Sequence, residues 1–177
     1  MHLDQIPHVG VMNIGLGNIG SIISGLKRSN SQLSIIVLTS PPDLEASNAL
    51  SHLILPGVGT FHKAMDILNN NGWTNWIKEY WVPSNKPLLG ICLGMQLLAS
   101  YGYEGSPNND KIEGLDVIPG EVIRLPKNHN IRLPHIGWND IQTLQPSPLF
   151  SNISSGCFYF VHSFYFQTLS HIHNTSS

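Results

Sequence analysis

Charge is scarce in this chain: Asp, Glu, Lys and Arg together make up 11% of 177 residues, with 9 Lys+Arg against 11 Asp+Glu and a formal net charge of −2. An average soluble protein carries roughly 25%, so much of the surface must be neutral or apolar, which suits a subunit that docks on another protein. The basic residues form no cluster, and this argues against nucleic acid or an anionic membrane surface as a partner. The opening Met1-His2-Leu3-Asp4-Gln5 has no basic region followed by an apolar core of the signal-peptide kind. No apolar run approaches the roughly 20 residues of a membrane span. A cytoplasmic location is therefore expected. Cysteine is equally sparse: Cys92 and Cys157 alone cannot build a disulfide framework, so reduced thiols are expected.

What is abundant is short apolar runs alternating with helical spacing. Strands are expected at 8–14, 34–38, 52–55 and 87–91, and helices at 19–29, 61–68 and 73–80. Near-continuous apolar strands separated by helices imply a parallel sheet covered on both faces. After Gly114 the runs lengthen and are broken by Pro and Gly, giving strand candidates at 117–125, 131–143 and 158–166. The length fits one domain, and neither a linker nor a repeat interrupts it. An α/β part passing into a β-rich part reads as one domain with a mixed sheet.

Chemistry concentrates at Leu88-Leu89-Gly90-Ile91-Cys92-Leu93-Gly94-Met95, where a lone cysteine stands between two glycines as an apolar strand turns into a helix. A sharp strand-to-helix turn needs small neighbours, because a Cβ at Gly90 or Gly94 would crowd the backbone that holds the central residue. Cys92 is the candidate nucleophile, and the positive end of a helix dipole favours the thiolate form of a cysteine. The competing reading is a small buried hydrophobe between two apolar elements.

Three glycine-bearing features fall at the carboxyl ends of the parallel strands, where open α/β sheets keep their sites. Gly15-Leu16-Gly17-Asn18-Ile19-Gly20 matches the dinucleotide fingerprint in its letters. That fingerprint also needs an acidic residue closing the second strand, and Leu38 is followed by Thr39-Ser40-Pro41-Pro42, so nucleotide binding is not expected. In Leu55-Pro56-Gly57-Val58-Gly59-Thr60-Phe61 the glycines around Val58 free a peptide plane to turn its N–H toward the elbow. An acyl-transfer nucleophile needs such donors for the oxyanion of its tetrahedral intermediate, and the N–H of Leu93 would be a second one.

These segments, with Asn13-Ile14-Gly15-Leu16-Gly17-Asn18, Leu133-Pro134-His135-Ile136-Gly137-Trp138-Asn139 and Phe158-Tyr159-Phe160-Val161-His162-Ser163, resemble the triad-type (class I) glutamine amidotransferases, and within them the glutaminase subunits of imidazole glycerol phosphate synthase. The resemblance runs over nearly the whole chain. It implies a flavodoxin-like fold and hydrolysis of L-glutamine to glutamate and ammonia. It implies Cys92 as nucleophile, Val58, Gly59 and Leu93 around the oxyanion, Gln96 and Glu104 holding glutamine, and Ser163 and Phe164 contributing backbone groups. It further implies a (β/α)8 synthase subunit as partner in histidine biosynthesis, receiving ammonia through a sheltered path near Asn18, Trp138 and Tyr159. No cofactor and no metal are expected.

One part of the family pattern is absent. Its general base and the carboxylate that orients it lie in a His-Pro-Glu motif on a later strand, and the sequence contains no His-Pro-Glu. His162 belongs to the earlier Tyr-Phe-Val-His motif and is not assigned as that base. The expected domain is 1–166, incomplete at its C-terminal strand and helix, with 167–177 a polar disordered tail. Two other functions remain open: a paralogous glutaminase feeding an amidotransferase of surface-polysaccharide sugars, and an inactive, truncated binding subunit. His52, His62, His129 and His135 show no metal-ligand spacing, and His171 and His173 form at best a weak pair. Trp73, Trp76 and Trp81 read as helix-face packing.

Overall fold

Four apolar runs become the parallel strands β1 (His8–Met12), β2 (Ser34–Leu38), β3 (His52–Gly57) and β4 (Leu88–Cys92), paired in the order β2-β1-β3-β4. The structure is a computed structural model that describes residues 6–126, 132–143, 147–151 and 156–168. Helix α1 (Ile19–Ser29) returns from β1 to β2, and its Ile19, Ile22 and Leu26 pack on Val9, Val11 and Ile54. Its start is fixed by Asn18, whose side chain accepts the Ser21 N–H. Helix α2 (Leu44–Ala49), which the apolar pattern did not reveal, begins at Asp43, whose carboxylate accepts the Ala46 N–H. Asp43 is thus a helix cap. Lys86 closes the other end by donating to the carbonyls of Ser47, Asn48 and Leu50.

Helix α3 (Phe61–Asn70) buries Phe61, Ala64, Met65 and Leu68. The helix expected at 73–80 is shorter: α4 (Trp73–Trp76) passes into a π turn at Ile77–Trp81 and a 3-10 turn at Val82–Ser84. The segment ends at Asn85, which turns left-handed at φ 55° and donates its N–H to the Val82 carbonyl. Trp73, Trp76 and Trp81 are buried and packed ring on ring, and the Trp76 indole donates to the Ser47 hydroxyl. After β4 comes the single turn α5 (Leu93–Gln96).

The β-rich part departs from expectation. Strands β5 (Ala99–Gly102), β6 (Ile112–Glu113) and β7 (Ile118–Arg124) are followed by an antiparallel pair, β8 (His135–Asp140) and β9 (Cys157–His162), and then by β10 (Phe164–Thr168). The run expected as one strand at 158–166 is broken at Ser163. In place of the single mixed sheet, the described residues form three sheets: the parallel one, a second of order β10-β7-β5-β6, and the β8-β9 hairpin. Periodicity reports that a run is extended but not which edge it joins. Strand β10 continues to Thr168, two residues past the expected end of the domain, and 169–177 lie outside the described residues. The described chain forms two compact units, one up to Ile123 together with Phe166–Thr168 and the other from Arg124 to Tyr165.

Candidate active site

The first unit contains the elbow. Cys92 closes β4 with φ 55° and ψ −118°, a conformation that L-residues rarely adopt and keep only when the surroundings impose it. Three glycines impose it. In the β3-β4 register Gly57 stands opposite Cys92, and a Cβ on Gly57 would come within 2.9 Å of the Gly94 nitrogen. A Cβ on Gly94 would run into the Leu55 carbonyl, and one on Gly90 into the backbone of Met95. Helix α5 therefore starts flush against β3, with Leu93 buried beneath it while Cys92 remains exposed.

Beside the cysteine, β3 ends and the chain turns through Val58 and Gly59 into α3. Val58 is exposed. Gly59 has φ 109° with nothing within 4 Å of where a Cβ would sit, so the glycine serves the backbone angle and not the space. The first N–H groups of α3 have no partner within the helix, and Thr60 supplies no side-chain cap. Glu104 fills that role: its carboxylate accepts the Phe61 N–H and its carbonyl accepts the His62 N–H at 3.0 Å. The His62 ring donates through Nδ1 to the Gly105 carbonyl at 3.2 Å, and Gly105, at φ 82°, leaves 2.7 Å between its Cβ position and Thr60. Burial raises the Glu104 carboxyl above its ordinary value, opposed by the Phe61 N–H. Cys92, Leu93, the Val58-Gly59 turn and Glu104 thus surround adjoining strand and helix ends, and Gln96 closes α5.

The second unit carries the remaining expected residues. Ser163 and Phe164 lie at the turn from β9 to β10; the Ser163 carbonyl accepts the Leu125 N–H, and the Phe164 carbonyl accepts Nδ1–H of His162 at 2.9 Å. That bond leaves Nε2 of His162 to accept a hydrogen bond from the Nδ1–H of His135 at 3.1 Å, and Nε2 of His135 then accepts one from the Asn139 amide at 2.9 Å. Both nitrogens of His162 are therefore engaged within its own unit. This three-residue chain was not expected, although His135 and Asn139 stand four apart on β8 and so share a face. On the opposite face of the hairpin, Trp138 and Tyr159 meet edge to face at 5.4 Å between centroids, flanked by Ile136 and Val161, and all four side chains are more than half exposed. Asn18 is exposed at the start of α1, in the first unit. Among the described residues no three His, Cys, Asp or Glu side chains are placed to hold a metal.

Cys92 thus stands exposed in a strained, glycine-framed strand-to-helix turn beside the glycine-bearing Val58-Gly59 turn, a geometry of the nucleophile-elbow class on an α/β sheet. The chain belongs to the class-I glutamine amidotransferase family, whose model matches residues 11–175. Within that family it is similar to "Imidazole glycerol phosphate synthase subunit HisH 1" of Prochlorococcus marinus (strain MIT 9313), 46% identical over 159 residues that cover 89% of this chain and 72% of the relative. It is 43% identical to the HisH subunit of Halalkalibacterium halodurans, over 90% of this chain and 72% of that one. A crystal structure of a glutamine amidotransferase superposes with a TM-score of 0.65 at 22% identity, covering 91% of this chain and 74% of the other, and supports the fold.

Proposed function

We propose that this chain is the glutaminase subunit of an imidazole glycerol phosphate synthase, hydrolysing L-glutamine and passing the ammonia to a (β/α)8 synthase subunit in histidine biosynthesis. The observation that carries the chemistry is Cys92 at φ 55° between Gly90 and Gly94, opposite Gly57. The Cys92 sulfur attacks the side-chain amide carbon of glutamine, and the carbonyl π electrons move to oxygen. The N–H groups of the Val58-Gly59 turn and of Leu93 are assigned to that oxyanion. Collapse breaks the C–N bond, ammonia leaves with an added proton, and water hydrolyses the thioester to glutamate and free thiol. Glu104 and Gln96, with backbone groups of Ser163 and Phe164, are assigned to the glutamine substrate.

The exposed Trp138-Tyr159 face, together with Asn18, is assigned to the synthase subunit. A hydrophobic patch on a chain with so few charges is what a docking subunit presents. Similarity to HisH subunits favours this acceptor over one of polysaccharide sugars.

The proton steps need a base, and these 177 residues contain no His-Pro-Glu. General acid–base catalysis is worth about 10²–10⁴ in rate. Glutamate release, measured with the synthase subunit and its acceptor, is expected to rise by that factor when the chain is extended through a His-Pro-Glu segment, and to be lost in both forms with Cys92→Ala. Release that survives Cys92→Ala would sink the assignment, and equal rates with and without the extension would place the base inside these residues.

A further inference from the structure

We propose that Glu121 is a positioning residue for the glutamine site, fastening both ends of the loop that presents Glu104. The inference rests on the reading of Glu104 as a ligand of glutamine.

The loop joins β5 to β6, which pair antiparallel with Tyr101 opposite Glu113 and Gly102 opposite Ile112. On its other side β5 pairs with β7, placing Tyr101 beside Glu121 and Gly102 beside Val122. One carboxylate on β7 reaches both shores of the loop: Oε2 of Glu121 accepts the Tyr103 hydroxyl at 3.3 Å, and Oε1 meets the Lys111 ammonium at 3.1 Å. The same ammonium lies 3.5 Å from the centroid of the Tyr101 ring. Burial first, then the Glu121 charge, raises the Tyr103 phenol above its ordinary value, so it stays a donor. The bond to Glu121 likewise raises Lys111, so it stays a cation.

Alternation along an extended strand turns this into a device for Glu104. Tyr101, paired with Glu121, and Tyr103, bonded to it, lie on the Glu121 face, and Gly102 between them projects to the other. On that other face Gly102 lies against the Phe61 ring, 2.6 Å from where its Cβ would be. Glu104 follows Tyr103 and delivers its carboxylate to the Phe61 N–H. Holding Tyr103 on one face thus holds Glu104 on the opposite one, at the start of α3 and next to the Val58-Gly59 turn. The loop contains Gly105, Pro107, Asn108 and Asn109, which make no regular element, so without a fastening its path would vary.

The test compares two reagents on the full chain, with labelling of Cys92 read by peptide mass spectrometry. The diazoketone analogue of glutamine needs the substrate site, whereas iodoacetamide needs only the thiol. Glu121→Ala is expected to slow diazoketone labelling about tenfold, as a misplaced binding group does, while iodoacetamide labelling stays within about twofold. Tyr103→Phe, which removes only one oxygen, is expected to lie between Glu121→Ala and the parent, and Glu121→Gln to recover part of the loss. An unchanged diazoketone rate in Glu121→Ala overturns the proposal, and so does an equal loss toward both reagents. Glu104→Ala separates the two levels. If it slows the diazoketone and Glu121→Ala does not, the fastening alone is wrong; if Glu104→Ala has no effect, the reading of Glu104 fails and the proposal falls with it.

Discussion

Two residues have environments that set them apart from others of their kind. Cys157 begins β9 opposite Asp140, and partial desolvation, the Asp140 charge and a hydrogen bond to that carboxylate all raise its thiol above the ordinary value. A raised thiol is a poorer nucleophile at neutral pH. The glutamine diazoketone is therefore expected to label Cys92 in preference to Cys157, and predominant Cys157 adducts in a peptide map would contradict the active-site assignment. Glu104 is raised as well, by burial, with the Phe61 N–H acting against the shift. Its carboxyl is raised on folding, so its contribution to stability is full below the unfolded value near 4.5 and declines as pH rises through the folded value. Glu104→Gln keeps an oxygen for the Phe61 N–H and removes the buried charge. Thermal melts are expected to find this variant at least as stable as the parent near neutral pH, with the difference closing at acid pH, while diazoketone labelling of Cys92 slows. A variant less stable at neutral pH would show that the ionised carboxylate helps folding.

At the level of elements, the two glycine-framed turns fail in different ways. Gly94 is needed for space: a methyl group there meets the Leu55 carbonyl, which belongs to a central strand and cannot step aside. Gly94→Ala is expected to cost about 3 kcal/mol or more and to separate α5 from β3. Gly59 is needed for its angle, in open surroundings, so Gly59→Ala is expected to cost only about 1–2 kcal/mol. On the oxyanion role proposed for this turn, its effect falls on the chemistry, where loss of one donor is worth about 10²–10³ in kcat. Denaturant melts and glutamate release, taken together for both variants in the extended chain, should show a large stability loss for the first and a mainly kinetic loss for the second. The reverse pattern would mean that the Val58-Gly59 turn carries the fold and the elbow does not.

At the scale of the whole molecule, the parallel sheet has β2 and β4 as its edges among the described residues. Ile36 and Val37 on β2 and Leu89 and Ile91 on β4 are exposed, and an edge strand with apolar side chains is of the kind that recruits another strand. A net charge of −2 offers little repulsion between copies. The chain of these 177 residues is expected to associate as its concentration rises, and Leu89→Lys on the β4 edge is expected to reduce that association. Light scattering that stays monodisperse across the concentration range would show the β4 edge to be protected.

The sequence by itself marked Cys92 as the candidate nucleophile and revealed the turns that frame it and the parallel strands beneath them, because these rest on local rules. A glycine beside a cysteine at a strand end, an Asn or Asp before a helix and a continuous apolar run each report a backbone requirement met within a few residues. It also showed the lack of a His-Pro-Glu motif, since that is a matter of letters. Only the tertiary structure decided the rest. The division of the β-rich part into separate sheets, the use of Glu104 to cap α3, the His162-His135-Asn139 chain and the Glu121 bridge all join residues far apart in sequence. Such pairings depend on strand register and on which buried donors lack a partner, and neither quantity is written in the spacing of a single segment.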